Sequence, residues 1–175
     1  MKIQLQFSIP LCWRKPSMTR IIEVVPYDPV WSKDYLIEAI KLKTALGDNF
    51  VDIHHIGSTA VPGLAAKPVL DILPVVKNIL GIQTEKLEDL GYTARGEMGM
   101  PFRRFFNKGE PQRTHHLHVW EQDSPEIQKH LLFRDYLRAH PEVAKEYAAM
   151  KIELAHKFNR DRANYIASKD DFIKR

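Results

Sequence analysis

The run Val69-Leu70-Asp71-Ile72-Leu73-Pro74-Val75-Val76 constrains this chain more than any other stretch. Nearly continuous apolar sequence of strand length predicts a central strand buried on both faces, so helices must cover the sheet that holds it. Asp71 is the one polar residue inside it. A lone carboxylate is expensive to bury unless it is paired or metal-bound. Facing a cleft it costs little and can ligate Mg²⁺ or Mn²⁺. The competing explanation is a structural ion pair with Lys67 or a nearby arginine.

The rest of the pattern surrounds that strand. Ile21–Val25 reads as a short β-branched strand. Asp28-Pro29 then opens a helix whose apolar stripe is Trp31, Tyr35, Ile37, Ile40, Leu42 and Leu46, and Gly47 stops it. Val51–Ile56 is a strand ending in Gly57-Ser58, and Thr59–Lys67 is a Pro/Gly/Ala loop. Thr84–Leu90 is helical up to Gly91. Phe102–Phe106 and His115–Trp120 read as a hairpin around the turn residues Asn107 to Pro111. Helices follow from Ser124-Pro125, from His140-Pro141 and over roughly Arg162–Ile173. The expected class is α+β: a mixed sheet with some parallel pairing, flanked by helices, and a helical C-terminal third.

A chain of 175 residues fits one domain. Met18 is the more natural start, so residues 1–17 are expected to be an extension outside the fold and 18–175 the single domain. The formal charge of +4 comes without the dense Lys/Arg block of a nucleic-acid arm; so modest an excess suits an anionic small molecule as well as it suits nucleic acid, and nucleic acid is the less expected partner. The single cysteine, Cys12, cannot form an internal disulfide. No apolar run approaches the roughly 20 residues of a membrane helix. The expected location is the cytoplasm.

Three further groups can carry chemistry. Gly57-Ser58-Thr59 at a strand end can turn N–H groups and hydroxyls toward a phosphate, although such residues also make ordinary turns. In His115-His116-Leu117-His118, alternation puts His116 and His118 on one strand face. That pair can serve as metal ligands, proton relay or phosphate contacts, or can be merely hydrogen-bonded and half-buried. Arg103 and Arg104 point to opposite faces, so one enters any cleft, and Arg104 is assigned there beside Lys67 as a phosphate contact. Arg134, Asp135 and Arg138 read as solvent-exposed charge.

The stretch His55-Ile56-Gly57-Ser58-Thr59-Ala60-Val61-Pro62-Gly63-Leu64-Ala65-Ala66-Lys67-Pro68-Val69-Leu70-Asp71-Ile72 resembles the signature of the GrpB (UPF0157) family. The resemblance continues in Val25–Trp31, Arg113–Val119 and Phe133–Arg138. It implies the nucleotidyltransferase, or polymerase-β-like, fold, in which a Gly-Ser turn holds a nucleoside triphosphate and an Asp-x-Asp strand holds divalent metals. Gly57, Ser58 and Asp71 take those positions, but Leu73 stands where the second carboxylate belongs. The resemblance thus implies an atypical nucleotidyltransferase. Asp71, His116 and His118 would be catalytic, Asp71 and His118 would hold Mg²⁺ or Mn²⁺, and Gly57, Ser58, Thr59, Lys67 and Arg104 would bind phosphate. Two alternatives stand beside it: a non-catalytic module for a nucleotide or other phosphorylated metabolite, and a histidine-based metal-dependent hydrolase. Similar domains occur fused to dephospho-CoA kinase, which points toward coenzyme A metabolism.

Overall fold

The computed structural model describes residues 21–173; the extension expected at residues 1–17 lies outside them. Helix α1 (Val30–Leu46) begins where the Asp28 carboxylate accepts Val30 N–H at 2.9 Å and its carbonyl accepts Trp31 N–H at 3.1 Å. Pro29, with φ −62°, is preorganised for that start, and Gly47 ends the helix with φ 53°. Strand β1 (Phe50–Ile56) follows, then a loop with one tight turn at Ser58–Ala60, then strand β2 (Leu70–Val76). Helix α2 (Thr84–Glu88), β3 (Tyr92–Ala94), β4 (Arg104–Lys108) and β5 (His115–Glu121) complete the sheet. Helices α3 (Pro125–Ala139), α4 (Pro141–Lys157) and α5 (Arg162–Ile173) form the C-terminal third. Ser124 caps α3 by accepting Glu126 N–H, and Pro125 and Pro141 occupy the first turns of α3 and α4.

The five strands lie in the order β1-β2-β5-β4-β3. Only β2 and β5 run parallel, and β4 and β5 form the expected hairpin. Pairing of β2 with β5 is interrupted between Ile72 and Val75, where Pro74 has no N–H to donate. One face of the sheet packs Leu70, Ile72, Val76, Phe106, Leu117 and Val119 against Trp31, Leu42 and Leu46 of α1. The other packs Ile56, Leu73, Val75 and Trp120 against Ile127 of α3. Each fully buried side chain of this kind stabilises the fold by about 1.5–3 kcal/mol. The helical third holds on chiefly through the β1–β2 loop, where Val61 and Leu64 meet Leu137, Ala144 and Tyr147. Among the described residues no helix is long and apolar enough to cross a membrane.

Three expectations change. Residues 21–25 form no strand; Val25 alone bridges Ala66. The short strand β3 has no counterpart in the sequence reading. On α1, Ile37 and Ile40 face solvent while Glu38 is buried. Its carboxylate accepts from Lys108 at 2.7 Å, Tyr92 at 2.9 Å and Lys41 at 3.1 Å. Burial alone would raise Glu38, but these bonds hold it below the ordinary carboxylate range.

Candidate functional site

The sheet register assembles the site. Asp71 lies between Ile56 of β1 and His116 of β5, so the turn that leaves β1 passes beside its carboxylate. His116 Nδ1 is 3.0 Å from Asp71 Oδ1, and His118 Nε2, on the same strand face, is 3.4 Å from it. Burial would raise the Asp71 carboxyl, but hydrogen bonds from His116 and His118 hold it far below the usual range. Gly57 makes this approach possible: at φ 70° and ψ −170°, a Cβ there would sit 2.7 Å from Asp71 Oδ2.

Asp71, His116 and His118 each offer a ligand atom within 4.8 Å of the others, and His116 Nε2 is buried without a hydrogen-bond partner. One oxygen and two imidazoles fit a divalent cation, Mn²⁺ or Zn²⁺ better than Mg²⁺. Leu73 is wholly buried among Ile56, Val75, Trp120 and Ile127, so its position contributes no second carboxylate.

Behind the histidines stands Arg103. Its Nη1 is 3.3 Å from His118 Nδ1 and 3.0 Å from Met100 Sδ, and its other bonds go to the carbonyls of Glu97 and Met98. A guanidinium only donates, so His118 Nδ1 accepts and the neutral ring carries its proton on Nε2, toward Asp71. A cation taken on Nε2 requires that proton to leave and Arg103 to turn aside. Arg104, assigned to the cleft from sequence, instead pairs with Val119 on the opposite face and is exposed.

His130 of α3 lies 5.7 Å from the His118 ring, with its Nε2 buried and unbonded. Burial lowers both His130 and His55 to about 4. An unfolded histidine titrates near 6.5, so between that value and about 4 the unfolded chain binds more protons. Stability therefore falls as pH drops from about 6.5 toward 4, with a slope of about 1.4 kcal/mol per pH unit for each of the two. We expect His130→Leu to flatten this acid limb in urea melts at a series of pH values; an unchanged limb would reject the assignment.

The turn after β1 is gripped from the helical third. Lys151 of α4 donates to Ser58 Oγ at 2.9 Å and to the Ala65 carbonyl at 2.6 Å. Arg138 donates to the Ala60 carbonyl at 2.7 and 3.0 Å, and Arg134 to the His55 carbonyl at 3.1 Å, so neither arginine is merely surface charge. Thr59 Oγ1 is engaged by His55 Nε2 at 3.0 Å. Burial, with the charge of Lys169 adding, lowers the Lys151 ammonium to about 7.

Beside Asp71 and Ser58 opens a cavity of about 510 Å³. Its wall carries six cationic side chains, Lys67, Arg113, Lys151, Arg160, Arg162 and Lys169, against the single carboxylate of Asp71 among the described residues. Of the residues expected from sequence, Ser58, Thr59, Lys67, Asp71 and His116 line it, with Gly57 against Asp71 and His118 one layer behind. Sequence reasoning missed Lys151, Arg160, Arg162 and Lys169. Arg113 lies within the Arg113–Val119 stretch that carries the family resemblance.

A family model described as GrpB protein matches residues 21–175. The UPF0157 protein YqkA of Bacillus subtilis is 45% identical over 157 residues, 89% of this chain. The chain spans about half, 46%, of that relative's length. A dephospho-CoA kinase of Mycolicibacterium paratuberculosis is 27% identical, the match covering 87% of this chain and 44% of the kinase. Among solved structures, the conserved protein GrpB from Enterococcus faecalis superposes with a TM-score of 0.82 at 40% identity, covering 87% of this chain and 93% of that one. The poly(U) polymerase Cid1, in complex with its short product ApU, superposes with a TM-score of 0.52 at 12% identity over 73% of this chain and 42% of Cid1, a likeness of fold.

Proposed function

The chain belongs to the GrpB family, and from that premise we propose that it binds a nucleotide or related phosphorylated metabolite beside Ser58 and Lys151 and transfers a nucleotidyl group to a small acceptor. The observation that carries this reading is the cavity with six cations and one carboxylate. A polyphosphate is a ligand that such a cationic wall attracts. The nucleotidyltransferase-like fold supports it, and the match to a dephospho-CoA kinase supports including coenzyme A-related ligands.

Lys151, Arg160, Arg162 and Lys169 would neutralise the phosphates, and the Ser58 hydroxyl would donate to them. An acceptor hydroxyl would attack the α-phosphorus as the bond to the bridging oxygen breaks and pyrophosphate leaves. The Asp71–His116 pair would take the acceptor's proton. Asp71 and His118 would hold a divalent cation, which would supply Lewis-acid polarisation of a phosphoryl oxygen. The buried Leu73 favours a second reading, binding without turnover, since two-metal chemistry needs more anionic ligands.

The test is a titration of inorganic pyrophosphate and of ATP, with and without Mn²⁺, from pH 6 to 9. Both should bind; ATP at about 100 times its Kd should stabilise the fold by roughly 2.7 kcal/mol. A bound anion favours the charged form of Lys151, so the protein takes up a proton on binding above about pH 7. Affinity should therefore fall with rising pH, toward about tenfold per unit. The ligand-free fold should do the opposite. Unfolded Lys151 keeps its proton to about 10.5, so stability rises with pH across that interval. Lys151→Met should weaken binding and remove the slope. No binding of either anion would sink the proposal.

A further inference from the structure

The cationic cavity does not end at its own wall. A second chamber of about 1100 Å³ adjoins it, and Ile22, Lys67, Val69, Arg113 and Arg160 line both. Beyond those shared residues the chemistry changes. The second chamber adds no further lysine or arginine and gains a carboxylate, Glu23. Its remaining surface mixes apolar residues such as Val24, Ile152 and Ala155 with the polar Gln112, Thr114, His156 and Asn159. The three shared cations sit where the two spaces meet, so a phosphate held there addresses both. A single small-molecule site occupies about 300–1,000 Å³, and the second chamber alone, at about 1100 Å³, slightly exceeds that range.

We propose that the second chamber is a tail subsite, and that the ligand is a nucleotide whose phosphate carries an elongated, uncharged amide or aliphatic chain. The inference rests on the phosphate-binding reading above and deepens it. Phosphates lie against Lys151, Arg162 and Lys169, the shared cations hold the linkage, and the chain runs along α4 past Ile152. A nucleotide without such a chain leaves the second chamber filled with water and forgoes the apolar contact its walls offer.

Dephospho-CoA and ADP make a matched pair of probes, the first being the second esterified with a pantetheine chain. By calorimetry dephospho-CoA should bind at least about tenfold more tightly than ADP. Ile152 is half-exposed on α4, so Ile152→Trp is placed to fill the chamber and leave the fold intact. It should abolish that difference and leave the affinities for ADP and inorganic pyrophosphate unchanged. Gln112→Trp, in the exposed β4–β5 turn, gives an independent obstruction, and a thermal melt of each variant confirms folding. Equal affinity for the two probes, or equal weakening of both by Ile152→Trp, would overturn the tail subsite while pyrophosphate binding kept the phosphate reading. If neither probe nor pyrophosphate binds, both readings fall together.

Discussion

On the transfer reading proposed above, Asp71→Asn should lower nucleotidyl transfer by about 10²–10⁴-fold, roughly 3–5 kcal/mol of lost transition-state stabilisation. The amide keeps the shape of the carboxylate, so the fold and the cationic wall stay in place. What disappears is the one negative charge that His116 and His118 converge on and that a cation requires. Pyrophosphate binding without metal should survive, even strengthen, because a like charge has left the ligand's surroundings. The part of ATP binding that depends on Mn²⁺ should vanish. A variant that keeps both turnover and metal dependence would remove Asp71 from the chemistry. A wild-type protein that binds ATP without turning it over on any acceptor, with metal-dependent binding lost in Asp71→Asn, would select the binding-module reading that Leu73 favours.

Gly57→Ala should destabilise the fold by about 2–4 kcal/mol. The backbone there lies in a region that costs a side-chain-bearing residue about 1–3 kcal/mol. The added methyl would then stand 2.7 Å from Asp71 Oδ2 and 3.1 Å from its Cβ. Asp71 cannot simply yield, since Ile56 pairs with it on one side and His116 on the other. Either the strand end or the carboxylate must shift, so loss of cation-dependent binding should accompany the loss of stability. For a chain of this size the midpoint should drop by about 5–15 °C. Alanine at this position with an unchanged melt would mean that the close approach between turn and carboxylate is not essential.

The features that sequence reading recovered depend on short-range periodicity. Asp71 stood out because everything around it in β2 is apolar, and the pairing of His116 with His118 follows from strand alternation alone. The same rule shows that Arg103 and Arg104 face opposite ways, but not which face carries the site. That depends on how β4 registers against β5, and it selects Arg103. Lys151 was invisible for a different reason. Between Met150 and Ile152 it looks like an ordinary surface position, and its burial arises only when α4 packs on a turn 93 residues earlier in the chain. Glu38 hides in the same way inside an apparent apolar stripe, because its partners Tyr92 and Lys108 come from strands far along the sequence. Strand β3, at three residues, is too short to leave a period.

The cationic cavity draws its wall from residues spread between Ile22 and Lys169. Synthesis from the N-terminus therefore delivers Ser58, Asp71 and the histidines long before Lys151, Arg160, Arg162 and Lys169. Until α4 leaves the ribosome, the Ser58 hydroxyl and the Ala65 carbonyl lack the ammonium that later joins them. At that stage the cavity has the carboxylate of Asp71 but lacks most of its cationic wall. On the phosphate-binding proposal, a polyphosphate can therefore engage this cavity only once α4 and α5 have been added to the sheet and its turn.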